Sequence, residues 1–130
     1  MPIRSLLAGA AALALVCTPA LAADYLDGAV KSTDIGGQMV LTDANGMTLY
    51  IFDKDTPGTS TCYDACAEKW PPLIADDAVA AAGDFTLVAR TDGTSMWAYK
   101  GMPLYYWYED AEPGETKGDG VGGVWHLALE

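Results

Sequence analysis

The chain is short of base. Lysine and arginine number 7 against 18 aspartate and glutamate residues, giving a formal net charge of −11. A surface this acidic repels nucleic acid and anionic lipid; it suits solubility, cations or a basic partner. Histidine occurs once, at His126. A Ser–His–Asp hydrolase would have to use it with Ser60 or Ser95, and neither serine sits in a nucleophile elbow. No glycine-rich phosphate loop follows a strand, which argues against nucleotide binding. Carboxylates are plentiful, yet no spacing singles out a pair for acid–base hydrolysis. Beyond the first residues no apolar run is long enough to span a bilayer.

The N-terminus is built as a leader. Arg4 supplies a positive start, Leu6 to Val16 is an apolar Ala/Leu-rich stretch, and Ala20-Leu21-Ala22 is a small-x-small cleavage site. The stretch is too short for a membrane span, so residues 1–22 read as a secretory signal peptide and residues 23–130 as one exported domain. Cys17 follows Val16, a bulky residue where a lipobox needs a small one, which argues against a membrane tether. The expected location is periplasmic or secreted.

Cleavage there leaves two cysteines, Cys62 and Cys66. An even pair in an exported protein reads as a disulfide, and two positions four apart on a helix lie within bridging range. Metal or haem-type ligation and a catalytic thiol stay open as alternatives, although C-x3-C is not the redox C-x-x-C spacing.

What the chain does have is a duplication. Gly46-Met47-Thr48-Leu49-Tyr50-Ile51-Phe52-Asp53-Lys54-Asp55 is answered by Gly101-Met102-Pro103-Leu104-Tyr105-Tyr106-Trp107-Tyr108-Glu109-Asp110, every position offset by 55. Pro57-Gly58 is answered by Pro113-Gly114, and Trp70 by Trp125. The repeats run over about residues 38–73 and 93–128. Units of this size are too small to bury separate cores, so one shared core is expected.

The local signals are mostly β. Strands are expected at Ala29–Ser32, Gln38–Thr42, Met47–Asp53, Phe85–Arg90, Met96–Tyr99, Pro103–Tyr108 and Val124–Leu129, with an Asn45-Gly46 hairpin turn of two positive-φ positions. One helix is expected over Thr61–Lys69, capped by Ser60 or Thr61 and stopped by Pro71-Pro72. Residues 111–123, rich in acid and glycine, read as a long flexible loop. The sum is a small two-sheet sandwich or partly closed barrel with one short disulfide-bearing helix.

The paired motifs Tyr50/Phe52/Asp55 and Tyr105/Trp107/Asp110, the block from Cys62 through Cys66-Ala67 to Trp70-Pro71-Pro72-Leu73, and the run Gly123-Val124-Trp125-His126 resemble the bacterial secreted-repeat family. Its members are described as predicted lipoproteins with a Y-x-[FWY]-x-x-D motif. The resemblance covers the chain from about Gln38 onward. It implies an exported protein of two short repeats, and brings no activity, substrate, cofactor or catalytic residue.

Three functional readings follow. In the first the protein is a non-enzymatic module that binds an unidentified protein or small ligand. Four consecutive aromatics, Tyr105 to Tyr108, cannot all face inward from a strand, so Tyr106 and Tyr108 are the candidate binding surface, while the remaining aromatics fit a core. In the second it handles metal. Ca²⁺ would use Glu112, Glu115 and Asp119 in the glycine-rich loop, although the spacing is no EF-hand. Copper would use the repeat-equivalent Met47 and Met102 with His126, residues that serve equally as packing. The third is a small hydrolase.

Overall fold

The computed structural model describes residues 22–130. The leader assigned to residues 1–22, with Cys17, therefore lies outside the described residues except for Ala22. The strands are β1 (Asp24–Tyr25), β2 (Val30–Ile35), β3 (Gln38–Asp43), β4 (Tyr50–Phe52), β5 (Phe85–Ala89), β6 (Ser95–Tyr99), β7 (Met102–Pro103) and β8 (Trp125–Leu127); the helix α1 is Ala65–Lys69. They form three small antiparallel sheets in the orders β1-β2-β3, β4-β8 and β5-β6-β7. The mostly-β expectation with one short helix holds. Among the described residues the strands are divided among three sheets, and no barrel closes.

Each half begins with a hairpin. β2 and β3 turn through Gly36-Gly37, both at positive φ, with Ile35 opposite Gln38. Two positive-φ residues match the strand twist, and glycine adopts them without a Cβ clash. β5 and β6 turn through Thr91-Asp92-Gly93, with only Gly93 at positive φ. The second hairpin is therefore one residue longer. The next turn reverses the difference: Ala44-Asn45-Gly46 in the first half, Lys100-Gly101 in the second. The two length changes cancel, which is why residues before the first turn and after the second share one offset of 55.

The Asn45-Gly46 turn differs from expectation in one detail. Asn45 is not at positive φ; Gly46 alone is, at 86°. The Asp43 carboxylate accepts the Asn45 and Met47 N–H groups, both at 2.9 Å, and so stabilises a three-residue loop in place of a two-residue one. The return strand is also shorter than Met47–Asp53. Thr48 bridges to Thr42, and the chain then leaves β3 so that Tyr50–Phe52 pairs with β8.

The helix begins later than expected. Ala65 is its first residue, and Ser60 and Thr61 do not cap it. Both hydroxyls are engaged elsewhere, Ser60 with Tyr105 and Thr61 with Asp55. Asp64, at φ 55°, leads into the helix without a side-chain cap. Cys62, buried just before the helix, and Cys66 within it form a disulfide with Cα atoms 5.2 Å apart.

Two buried clusters make up the interior. One gathers Tyr50, Phe52 and Trp70 with Tyr105, Trp107 and Trp125; the other gathers Val30, Leu41 and Leu49 with Phe85, Trp97 and Leu104. Both draw on both halves. Among the described residues no helix is long and apolar enough to cross a membrane.

Candidate functional site

The two motif strands meet at Tyr50 and Tyr105, which exchange backbone hydrogen bonds of 2.8 and 3.0 Å. From this point contacts occur in reciprocal pairs. Tyr50 donates its hydroxyl to Asp110 Oδ2 at 2.5 Å, and Tyr105 donates to Asp55 Oδ2 at 2.6 Å. The second oxygens repeat the pattern: Asp55 Oδ1 accepts the Thr61 N–H at 2.8 Å, and Asp110 Oδ1 accepts the Lys117 N–H at 3.0 Å. Gly58 N–H donates to the Gly101 carbonyl and Gly114 N–H to the Gly46 carbonyl. Thus each motif aspartate serves the tyrosine of the other repeat, as equivalent groups do across an isologous interface.

The same exchange governs the strands. Asp53 N–H bonds the Val124 carbonyl, and Tyr108 N–H bonds the Lys69 carbonyl, at 2.8 and 2.9 Å. The end of each repeat lies along the motif strand of its counterpart. That brings Trp70 and Trp125 face to face, with centroids 3.7 Å apart and planes 4° from parallel. Phe52 extends the stack on one side at 4.1 Å, and Trp107 on the other at 4.2 Å. Contacts of this kind add about 0.5–1.5 kcal/mol each beyond area burial.

Burial, reinforced by the bonds to carboxylates, pushes the Tyr50, Tyr105 and Tyr106 phenols well above the usual tyrosine range. Burial likewise raises the Asp110 carboxyl, outweighing the bond from Tyr50. The motif therefore holds its hydroxyls neutral. It is a set of internal clasps.

The two clasps differ in their surroundings. Arg90, only 7% exposed, donates to Ser60 Oγ at 3.1 Å and to the Cys62 carbonyl at 2.9 Å, and its guanidinium lies over the Tyr63 ring. The Tyr105 proton goes to Asp55, so Ser60 donates to Tyr105, completing a relay Arg90–Ser60–Tyr105–Asp55. At the other clasp the Gly118 N–H donates to the Tyr50 hydroxyl at 3.1 Å. A Cβ on Gly118 would fall 2.9 Å from both Trp107 and Trp70. The sequence alone offers no role for Arg90 or Gly118, and offers Ser60 only as a helix cap or a hydrolase nucleophile. The one trace of a signal was a lone base at the end of an apolar strand.

Tyr106 and Tyr108 separate. The Tyr106 ring packs on the second cluster and its hydroxyl donates to Asp43 at 2.7 Å; Tyr108 is 54% exposed and meets Trp107 edge-on. The expected strand Pro103–Tyr108 is regular only at its start, within Met102–Pro103, because the N–H groups of Leu104, Tyr105, Tyr106 and Tyr108 go in turn to Trp97, Tyr50, Pro71 and Lys69. That weave turns Tyr106 toward the second cluster while Tyr105 and Trp107 enter the first.

The loop expected to be flexible is tied down. Thr48 donates to the Glu115 carbonyl, Gly120 N–H bonds the Trp125 carbonyl, and Leu127 N–H bonds Asp119. The Glu115 carboxylate accepts the Glu112 and Ala111 N–H groups, which lowers its pKa. Glu112, Glu115 and Asp119 are not gathered: among the described residues no three of His, Cys, Asp and Glu converge on a metal position. His126 Nε2 faces Asp53 Oδ2 at 2.7 Å. Met47 and Met102 each follow a turn of their own repeat.

The motif side chains being spent inside, the open features lie at the surface. One is a groove of about 190 Å³ where the halves adjoin, lined by Ile51, Tyr99, Lys100, Met102, Ala128 and Leu129. A second cleft, of about 390 Å³, lies where Asp76 and Asp77 face Thr94 and Ser95.

A family model described as a secreted repeat of unknown function matches residues 29–74 and again residues 86–128. No curated protein and no solved structure matches the chain. The family description makes this an exported protein. With the two matches falling on the two halves that clasp each other, the chain belongs to the secreted-repeat family.

Proposed function

We propose that the protein is a non-enzymatic binding module of the periplasm or cell exterior, whose clasped repeats present a small-molecule groove at their junction. The observation that carries this reading is the division of labour among side chains. The motif tyrosines and aspartates satisfy one another in the interior, while Ile51, Met102 and Leu129 line an open groove beside Lys100. Pockets that combine an apolar lining with one or two polar groups are the usual form of small-ligand sites. The ligand that fits is a small amphiphile, its apolar body on Ile51, Met102 and Leu129 and its anionic end on Lys100.

Octanoate is a suitable probe. Titrated into the protein, it is expected to shift the Ile51 and Met102 methyl resonances saturably, and Met102→Asp is expected to abolish the Ile51 shift without lowering the melting temperature by more than a few degrees. Shifts spread evenly over the surface, or an Ile51 shift unchanged in Met102→Asp, would refute the groove as the site.

A further inference from the structure

The repeats differ in how their first strands are edged. In the first repeat β2 is covered: β1 runs beside it, the Ser32 N–H donates to the Ala23 carbonyl, and the Ala23 N–H donates to Ser32 Oγ, both at 2.8 Å. Leu87 stands 55 residues after Ser32. It lies opposite Trp97, whose own N–H and C=O are engaged by Leu73 and Leu104, on the side away from β5. In an antiparallel ladder the partner residue must then also turn its N–H and C=O outward. Ala89, opposite Ser95, is set the same way, because the Ser95 carbonyl accepts from Ala75. Among the described residues nothing pairs with these outward groups. β5 is the outer strand of its sheet, and its sequence Phe-Thr-Leu-Val-Ala carries no charge and no proline. Leu87 is 49% exposed. Edges of this kind are usually guarded by charge, proline or cover, because they template another strand.

The surroundings indicate the kind of strand. Between Asp76 and Tyr99 the only base is Arg90, which is buried and turned toward Ser60 and the Cys62 carbonyl. Asp84 and Asp92 bracket β5, whereas Asp76 and Asp77 line a cleft on the other side of β6. A second copy would bring the same two acids and its own net negative charge to the contact, which opposes self-pairing.

We propose that the β5 edge is a docking site for an extended basic segment of a partner protein, added as a fourth strand. Backbone bonds to Leu87 and Ala89 supply the pairing, an apolar side chain covers Leu87, and lysine or arginine at the ends meets Asp84 and Asp92. Strand addition of this kind takes its affinity from main-chain bonds and its selectivity from flanking side chains. The inference extends the binding-module reading to a second class of partner, on a surface separate from the groove.

The test uses the full exported chain and a synthetic peptide of alternating valine and threonine with lysine flanks. Hydrogen exchange is followed by NMR at the Leu87 and Ala89 amides. Both are expected to exchange freely in the protein alone and to slow by roughly tenfold or more with the peptide. The slowing should be lost with a glutamate-flanked peptide, and weakened by salt. Leu87→Lys is expected to abolish it while octanoate still shifts Met102, so that edge and groove are judged separately. If Leu87→Lys fails to fold, the pair Asp84→Asn and Asp92→Asn is expected to weaken lysine-peptide binding alone. Equal effects of the two peptides, or no slowing with either, would overturn the proposal. So would protection that grows with protein concentration in the absence of peptide, which would make the occupant a second copy.

Discussion

At the residue scale the protein is held by phenol–carboxylate clasps. Tyr105→Phe keeps the ring but leaves Asp55 Oδ2 and the Ser60 hydroxyl without their partner. Stranding a buried acceptor costs about 1–3 kcal/mol, so a matching fall in chemical-denaturation stability is expected. Gly118→Ala tests a different force. Its methyl would overlap two indoles, and overpacking of this kind costs about 1–3 kcal/mol. Gly58→Ala is the control for steric overlap: nothing lies near its Cβ, although its positive φ leaves a backbone strain. The phenols also set an alkaline limit. Tyr50, Tyr105 and Tyr106 are raised, and Tyr25, bonded to Glu130, is pushed up to about 12. A raised folded pKa contributes stability that is present below the ordinary phenol value and lost as pH rises through the folded one. Stability should therefore fall above about pH 10. Absorbance titration should show these four phenols ionising late and together with unfolding. Early ionisation of Tyr50 and Tyr105 in the native protein would contradict the clasp.

At the element scale the question is what each short segment gains. α1 spans only Ala65–Lys69, far too short to be stable alone. The Cys62–Cys66 bridge closes a small loop before and within it. The chain-entropy argument assigns a loop this small about 2 kcal/mol. Replacing both cysteines by alanine should lower stability by about that much and leave the β sheets intact by circular dichroism. The strands were readable where a hairpin is local. β3, β5 and β6 fall within a residue or so of the alternating runs, since each pairs with a neighbour across a short turn. Pro103–Tyr108 and Met47–Asp53 were not, because their partners lie far along the chain and alternation does not say where pairing stops. The helix start was misplaced for a related reason. Ser60 and Thr61 are good caps in isolation, but Ser60 is engaged by the distant Tyr105 and Thr61 by Asp55 six residues before it.

At the scale of the whole molecule the repeats depend on each other. The motif strand of each half is completed by the end segment of the other, and both core clusters are mixed. Fragments 23–78 and 79–130 should each lack a cooperative unfolding transition. Mixed at equal concentration they should recover it, together with the near-ultraviolet signal of the stacked tryptophans. Independent folding of either fragment would remove the premise of a shared core. The exchange also explains what was legible of the candidate site. The duplicated motif, its tyrosines and its aspartates stand out from the 55-residue offset alone. Which aspartate serves which tyrosine does not, because cis and crossed pairings leave the same pattern in the chain. Arg90, Gly118 and the open edge of β5 left almost no trace, since each is defined by what lies across from it. Composition, the leader pattern and the repeat are properties of residues taken in order, and the sequence determined those. The crossing of the clasps, the indole stack and the uncovered strand were decided by tertiary structure, because they depend on which distant backbone groups find partners and which are left facing water.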